Sequence, residues 1–378
     1  MKKNTAIICE YNPFHNGHLY QLQKVKEQSE IVICIMSGNT VQRGGFSCAD
    51  KYERAKIAVN FGADLVVEHP FPYCMSSAAD FASSGVFIAN ALKADTLAFG
   101  YEKKHNMLLK ISDLLSEDGV FDSINNIYKK SDNKNLSYPK ARVIYLSEII
   151  GEENASLLKT PNNILSVEYL INLKKYNDMK PLFIKRNNEY ISAGSIRDII
   201  FDDSSDDKTK DISSFVPASP EKFFPFSDYN EAVLTYLNLC GQSSGIYDCD
   251  SSLYNRIIAN AKKAKSVEHL VSLCTTSAYT SSKVRRAVFS IVFNTKTEDV
   301  KKMPSYTVLL GANEKGIKYI SENKKRFEIP IFTRSTDEKK HSTDTSLLAK
   351  AEKIYSLLSK EEYTPYKKPY IKYRTRDE

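Results

Sequence analysis

Short apolar runs alternate with segments of helical periodicity along the first 200 residues. Residues 5–9 and 31–36 are almost wholly apolar, whereas residues 18–29 repeat apolar positions at helical spacing. Strands that lack a polar face are typical of a parallel sheet with helices on both faces. The pattern therefore predicts an α/β fold for this part of the chain.

The same pattern predicts further elements of both kinds. The expected strands are 65–67, 96–99 and 181–185, and the expected helices are 51–61, capped by Asp50, and 193–201, with mainly helical structure over 120–163. An acidic stretch at 202–207 has the composition of a surface loop or linker.

Beyond that stretch the pattern changes to a mostly helical one. Helices are expected over 254–264, 267–274, 282–293 and 346–358, with short strands over 304–310 and 330–332. The predicted organisation is therefore two domains, residues 1–205 and residues 206–378.

Composition argues against several classes of protein. Of the 378 residues 42% are apolar, but no run approaches the roughly 20 apolar residues of a membrane-spanning helix. The apolar run near the N-terminus is too short for an export signal, so a cytoplasmic location is expected. Seven cysteines without paired spacing argue against disulfides and a zinc site, and no metal site is predicted.

Charge is unevenly distributed along the chain. Residues 251–378 hold 26 Lys and Arg against 14 Asp and Glu, a net of +12, whereas residues 1–200 hold 24 against 22. A basic C-terminal third is typical of proteins with a polyanionic partner. A solvated, lysine-rich surface would give the same count.

The most informative motif follows the first predicted strand and reads Glu10-Tyr11-Asn12-Pro13-Phe14-His15-Asn16-Gly17-His18. A helix that begins here offers unpaired N–H groups and a partial positive charge to phosphate. His15 and His18 are three residues apart and can share one face of its first turn. The alternative is a pair of structural histidines beside a turn.

This motif resembles that of the nucleotidyltransferase superfamily, and the chain as a whole resembles the tRNA-Met cytidine acetate ligases. Blocks along nearly the whole sequence carry the second resemblance. They include Met36-Ser37-Gly38-Asn39, Gln42-Arg43-Gly44, Phe99-Gly100-Tyr101-Glu102, Pro161-Asn162-Asn163, Ile184-Lys185-Arg186, Ser195-Ile196-Arg197 and Val284-Arg285-Arg286-Ala287. The fold that the resemblance implies is a doubly wound, Rossmann-like parallel sheet.

The sequence departs from the family pattern at a few positions. They are Tyr101 beside Gly100, His69 in a Glu-His-Pro block, Gly194, and the continuation Gly45-Phe46-Ser47-Cys48. His69, without an evident partner, is expected to be a loop histidine.

The resemblance implies an ATP site with His15 and His18 as catalytic residues. The expected nucleotide contacts are Ile8, Cys9, Glu10, Tyr11, Asn12, Pro13, Phe14, Asn16, Gly17, Gly100, Asn162, Asn163, Lys185, Arg186, Ser195 and Arg197. For some of them a structural role is equally open. Gly100 can be a turn glycine, either asparagine can cap the following helix, and Arg197 can be a surface charge.

For RNA the expected contacts are Arg43 and three cations of one predicted helix, Lys283, Arg285 and Arg286. Basic residues near the C-terminus are interleaved with tyrosines, which can stack on unpaired bases. These are Lys367, Lys368, Lys372, Arg374 and Arg376 with Tyr363, Tyr366, Tyr370 and Tyr373. The alternative is an ordinary charged tail.

The activity implied by the resemblance is an ATP-dependent ligation. Acetate and ATP would form acetyl-adenylate, and the wobble cytidine of elongator tRNA-Met would take the acetyl group to give N4-acetylcytidine. Any Mg²⁺ would be held mainly by the ATP phosphates. Two alternatives are an adenylyltransferase for a small phosphorylated substrate and an RNA-binding protein with a relict nucleotide pocket. The sequence leaves the oligomeric state open.

Overall fold

The computed structural model describes residues 3–130, 136–187, 189–201, 211–225, 229–333, 337, 342–360 and 367–373. The strands are β1 (Lys3–Cys9), β2 (Ser29–Ser37), β3 (Leu65–His69), β4 (Thr96–Tyr101), β5 (Lys180–Lys185), β6 (Thr307–Asn313), β7 (Ile331–Phe332) and β8 (Tyr370–Lys372).

The helices of the first 201 residues are α1 (Asn16–Gln28), α2 (Lys51–Asn60), α3 (Ala78–Ala91), α4 (His105–Leu114), α5 (Val120–Lys130), α6 (Tyr138–Ile150), α7 (Glu152–Ala155), α8 (Pro161–Leu173) and α9 (Ala193–Ile200). Those that follow are α10 (Asn230–Leu239), α11 (Ser251–Ala261), α12 (Val267–Cys274), α13 (Ser281–Phe293), α14 (Thr297–Lys301), α15 (Glu314–Asn323) and α16 (Ser342–Ser359). The predicted strand–helix alternation is confirmed, and Asp50 caps α2 by accepting from the Tyr52 N–H.

One sheet of eight strands has the order β5-β4-β1-β2-β3-β6-β7, with β8 beside β6. Strands β1 to β5 are parallel, and β6 runs antiparallel to β3. The predicted α/β fold with a mostly parallel sheet is confirmed. The order reverses between β1 and β4, and ligands of such sheets bind at the carboxyl ends of strands beside this reversal.

Both faces of the sheet are buried, which explains the apolar runs. From β1, Ile7 joins the apolar layer that contains Leu22 of α1, whereas its neighbour Ala6 joins the layer that contains Val86 of α3. Because successive side chains of a strand point to opposite faces, a strand between two layers has no polar position.

The second half of the chain completes the same sheet. Leu65 and Val67 of β3 lie opposite Ala312 and Leu309 of β6. Helix α13 packs against the loop that follows β2, where the ring of Phe289 lies beside that of Phe46. The acidic stretch at 202–207 lies outside the described residues, and the division at 205/206 stays a prediction.

Candidate functional site

His15 is the N-cap of α1, and its side chain is buried. Its Nδ1 accepts from the Gly17 N–H at 3.0 Å, and the His15 N–H donates to Nδ1 of His18 at 3.4 Å. The two side chains thus form a reciprocal capping box, which the H-x-G-H spacing makes possible. The three-residue spacing that suggested a common catalytic role therefore also fixes the position of both rings through hydrogen bonds to nearby backbone.

The two imidazoles stack, with ring centroids 3.7 Å apart. Burial and the charge of Arg186 lower the pKa of His15 to about 4. Burial, His15 and Arg186 lower the pKa of His18 well below its usual value, against the opposing effect of its hydrogen bond to the Pro13 carbonyl. Both rings are therefore neutral at pH 7, and an imidazole whose Nδ1 accepts carries its proton on Nε2.

The first N–H groups of α1 are not unpaired, contrary to the expectation from the motif. The Asn16 N–H donates to the Phe215 carbonyl at 2.9 Å, and the Gly17 N–H goes to His15. Asn16 also donates through Nδ2 to the Ser214 carbonyl at 2.9 Å. A Cβ on Gly17 would lie 2.8 Å from Cε1 of His15, so this glycine makes room for the imidazole.

Several predicted nucleotide contacts lie in the core. Tyr11 and Phe14 are buried with ring centroids 4.8 Å apart, and Cys9 and Pro13 are buried as well. The Ile8 side chain packs against α3, where a Cβ on Gly85 would lie 2.7 Å from it. These side chains support the segment over residues 8–18 by packing in the core.

At the ends of β4 and β5, Gly100, Asn162 and Arg186 lie together. Nδ2 of Asn162 donates to Oε1 of Glu102 at 2.9 Å, and that oxygen lies 4.0 Å from Nη1 of Arg186. A Cβ on Gly100 would meet only Cγ of Arg186 at 3.5 Å and the Ile184 carbonyl at 4.0 Å. The protein itself therefore does not require a glycine here. The Glu102 carboxylate is a member of this group that sequence reasoning did not assign.

The two asparagines of the Pro-Asn-Asn block have different surroundings. Asn163 is buried, accepts from the Glu102 N–H at 3.2 Å and donates to the Leu157 carbonyl at 3.2 Å. Asn162 is half-buried on the open edge. The N-cap of α8 is Thr160, so the prediction that either asparagine could be the cap is wrong.

The remaining candidates of this domain lie on β5 and α9. Nη1 of Arg197 donates to the Asn12 carbonyl at 2.6 Å, so it is not a free surface charge. Ser195 is exposed, and its N–H donates to Oγ of the N-cap Ser192 at 3.1 Å. Lys185 is exposed at the end of β5.

Arg54 of α2 is fully buried and joins two loops at the sheet edge. Its guanidinium donates to the carbonyls of Glu10, Ser37 and Gly38. The loop over residues 38–50 is thereby fixed to the segment that carries the histidines. No motif indicated this residue, because its partners are backbone atoms distant in sequence.

The 38–50 loop also contacts the helical region. A Cβ on Gly44 (φ +91°) would lie 2.8 Å from the backbone nitrogen of Arg286, and Phe46 is buried with its ring centroid 5.8 Å from that of Phe289. Arg43, beside Gly44, is exposed. The structure therefore brings Arg43 next to α13, as an RNA surface formed by both would require.

The three cations of α13 differ in their availability. Arg286 is buried, and its Nε and Nη2 donate to Oδ2 of Asp248 at 2.9 and 2.7 Å. Arg285 pairs with Glu268 at 2.6 Å, and Nζ of Lys283 lies 3.9 Å from Asp248. Arg286 thus has a structural partner, and Arg43 and Lys283 are the cations that are most open to phosphate.

His69 is the last residue of β3 and is fully buried, so the prediction of a loop histidine is wrong. Its Nε2 lies 2.8 Å from Oγ of Ser84, and burial lowers its pKa to about 3. This histidine is part of the core.

In the C-terminal segment Lys367 pairs with Asp50 at 3.3 Å, and Tyr370 donates to Oδ1 of Asn60 at 2.9 Å. Tyr373 is 70% exposed and remains available for stacking. The predicted contacts Tyr363, Tyr366, Arg374 and Arg376 lie outside the described residues.

Among the residues that the structure describes, no helix combines the length and apolar character needed to cross a membrane. The same residues contain no group of three or more His, Cys, Asp or Glu side chains that could hold a metal ion.

Fold and site define a nucleotidyl transferase. The family model described as HIGH Nucleotidyl Transferase matches residues 1–369. A crystal structure of Thermotoga maritima TmcAL bound with alpha-thio ATP superposes with a TM-score of 0.89 at 25% identity, covering 99% of this chain and 100% of the other.

Curated relatives narrow the class. The chain is 34% identical to the tRNA(Met) cytidine acetate ligase of Thermoanaerobacter sp. (strain X514), over 94% of this chain and 95% of that protein. It is 30% identical to the ligase of the same name from Bacillus subtilis, over 94% and 92%. The chain belongs to the tRNA(Met) cytidine acetate ligase family.

Proposed function

We propose that the protein condenses acetate with ATP to acetyl-adenylate and transfers the acetyl group to N4 of the wobble cytidine of elongator tRNA-Met. The products are N4-acetylcytidine, AMP and pyrophosphate. The observation that carries the proposal is the capping box of His15 and His18 at the carboxyl end of β1, in a chain similar along its length to ligases of that name.

In the first step an acetate oxygen attacks the α-phosphorus of ATP and pyrophosphate leaves. Negative charge grows on the phosphate oxygens in the transition state. The Nε2–H group of neutral His15 and the guanidinium of Arg186 are donors that can stabilise this charge, and His18 holds the His15 backbone in place. Gly100 leaves space for the nucleoside against the backbone, and Asn162 with Glu102 offers polar groups to it.

In the second step the exocyclic amine of cytidine attacks the acetyl carbonyl and AMP leaves. The lone pair of this amine is delocalised into the base, and free acetate is a poor acyl donor. Adenylation supplies the leaving group that the reaction needs. The cytidine must leave the stack of the anticodon loop to reach the adenylate.

The tRNA would approach from the side of α13. Arg43 and Lys283 can neutralise phosphates there, which positions the RNA without reading its sequence. Any Mg²⁺ that accompanies ATP would be held by phosphates and water, because the described side chains offer no cluster for it. Work on tRNA implies a cytoplasmic location.

The test supplies the protein with labelled acetate, ATP and total tRNA, followed by digestion of the RNA to nucleosides. Label in N4-acetylcytidine is expected only when all three substrates are present. Acetate-dependent exchange of pyrophosphate into ATP without labelled nucleoside would leave the first step in place and overturn the acceptor. Absence of both, with folded protein, would overturn the proposal.

A further inference from the structure

Acetyl transfer to an amine releases a proton, and the two histidines are poorly arranged to take it. Nδ1 of His15 accepts from the Gly17 N–H, and Nδ1 of His18 accepts from the His15 N–H. With both rings neutral, each Nε2 carries a hydrogen and has no free lone pair. Neither histidine can take up this proton, so the proton acceptor must be another group.

Carboxylates are the obvious alternative, and three of them lie at or directly after the carboxyl ends of the parallel strands. Glu68 at the end of β3 is fully buried and binds Lys51 at 2.9 Å. Glu102 after β4 accepts from Asn162 on the nucleotide side. Glu10, directly after β1, is only half-buried.

The Glu10 carboxylate is held by one oxygen and open at the other. Oε1 accepts from the Gln42 N–H at 2.7 Å. The Gln42 side chain is itself fixed, because its Nε2 donates to the Ser76 carbonyl at 2.9 Å. Within the described part of the chain no residue is hydrogen-bonded to Oε2 of Glu10. Such a group is oriented but keeps a lone pair for a substrate.

Glu10 is also connected to both parts of the site. Along the chain, four residues separate it from His15, where the adenylate would form. Across the loop it contacts Gln42, whose neighbour Arg43 faces solvent beside α13. Glu10 thus belongs to the segment of the histidines and is hydrogen-bonded to the loop that carries Arg43.

We propose that Glu10 is the general base of acetyl transfer, an inference that rests on the proposed function. N4 of cytidine attacks the acetyl carbonyl, and its N–H proton passes to Oε2 of Glu10 as the C–N bond forms. The tetrahedral intermediate then collapses, the bond between the acetyl carbon and the phosphate oxygen breaks, and AMP leaves with the electron pair. Glu10 afterwards releases the proton to water.

The other titratable groups near Glu10 are not available as bases. Tyr169 of α8 and Cys74 interact with its charge, and burial raises the pKa of both, that of Cys74 to about 12, so neither is ionised at pH 7. The guanidinium of Arg54 donates to the Glu10 carbonyl and so holds the backbone of this residue in place.

The test is the substitution Glu10→Gln, which keeps an acceptor for the Gln42 N–H but removes the basic oxygen. Both half-reactions are measured, pyrophosphate exchange for the first and a single-turnover transfer to tRNA from preformed enzyme-bound acetyl-adenylate for the second. The ratio of transfer to exchange should fall by about 10²–10⁴-fold, the usual contribution of a general base. Wild-type transfer should slow as the pH is lowered, and the variant should lose this dependence.

The variant Glu10→Asp provides the matched control, since it restores a carboxylate with shorter reach and should regain part of the transfer rate and its pH dependence. An unchanged ratio in Glu10→Gln would mean that Glu10 only holds the loop, and equal losses in both steps would assign it to the ATP site; either overturns the proposal. Failure of the wild-type protein to acetylate RNA would instead overturn the proposed function.

Discussion

Two regions were predicted from charged or polar residues: the nucleotide edge, with His15, His18 and Arg186, and the α13 surface, with Lys283, Arg285 and Arg286. In the two regions these side chains are held by different kinds of partner. At the nucleotide edge the histidines are neutral and held by one another and by backbone. On α13 the two arginines are bound to carboxylates at 2.6 and 2.7 Å, and Lys283 lies 3.9 Å from one. A short motif therefore fixes its own geometry, whereas a cluster of like charges does not reveal which charges are already paired.

The largest effect is expected from the most buried cation of α13. Arg286→Ala removes the close partner of Asp248, leaves only Lys283 at 3.9 Å, and should lower the free energy of unfolding by about 3 kcal/mol. Urea denaturation measures it. Arg285→Ala on the same helix is the control, and because its partner Glu268 is 48% exposed it should cost less than about 1 kcal/mol. Similar losses in both variants would contradict the distinction between them.

At the nucleotide edge the comparison can be sharpened by separating the two roles of His15. His15→Ala and His15→Asn should each lower pyrophosphate exchange by about 10²–10³-fold, because both remove the imidazole Nε2–H and the shorter asparagine amide does not reach its place. Only the alanine variant should also lose about 1 kcal/mol of stability, since asparagine is a good N-cap. Exchange within a few-fold of wild type in the asparagine variant would show that His15 acts only as the cap.

His69 lies at the same edge of the sheet and should respond to pH through stability alone. Its pKa is lowered in the folded protein to about 3, whereas the unfolded value is near 6.5. Above about pH 6.5 the ring is neutral in both states. As the pH falls from about 6.5 towards 3 the unfolded state takes up a proton that the folded state does not, and stability is lost. Between pH 7 and pH 5 it should account for about 2 kcal/mol of lost stability. Urea titrations of wild type and His69→Gln at both pH values measure this, and an identical loss in the two proteins would contradict it.

The smallest effect is expected for tRNA binding by Arg43, the exposed cation beside α13. Arg43→Ala should weaken tRNA binding by about 1 kcal/mol and reduce the salt slope of the affinity by about one, since it removes one phosphate contact. Lys324→Ala is a matched control, because Lys324 is exposed at the end of α15. The segment that follows it is bonded through the Glu328 N–H to Ala91 at the end of α3, at the amino ends of the parallel strands. Equal effects of both substitutions would indicate non-specific charge attraction.

The sequence predicted what depends on local pattern. Five parallel strands, α1 and the Asp50 cap follow from periodicity and capping residues within a few positions of one another. The pairing of β6 with β3 did not follow, because it joins segments that lie about 240 residues apart and periodicity carries no information on partners. The same holds for Arg54, whose role depends on three carbonyls from two loops.

The site shows the same limit. The pattern identified His15, His18, Arg186 and Asn162, which the structure brings to one edge. It also identified Tyr11 and Phe14, which are buried under that edge. Residues of a contiguous motif include both those that face a ligand and those that support them, and only the fold separates the two groups.

The antiparallel strand β6 has a consequence for folding during synthesis, because the chain emerges from the ribosome N-terminus first. The outer edge of β3 remains unpaired until residues 307–313 have been synthesised, so most of the nascent chain must wait for its last fifth before the sheet closes. An open strand edge is a template for association with other chains. Premature termination between the end of β3 and this strand should therefore give an aggregation-prone product, although every residue of the histidine motif would already be present.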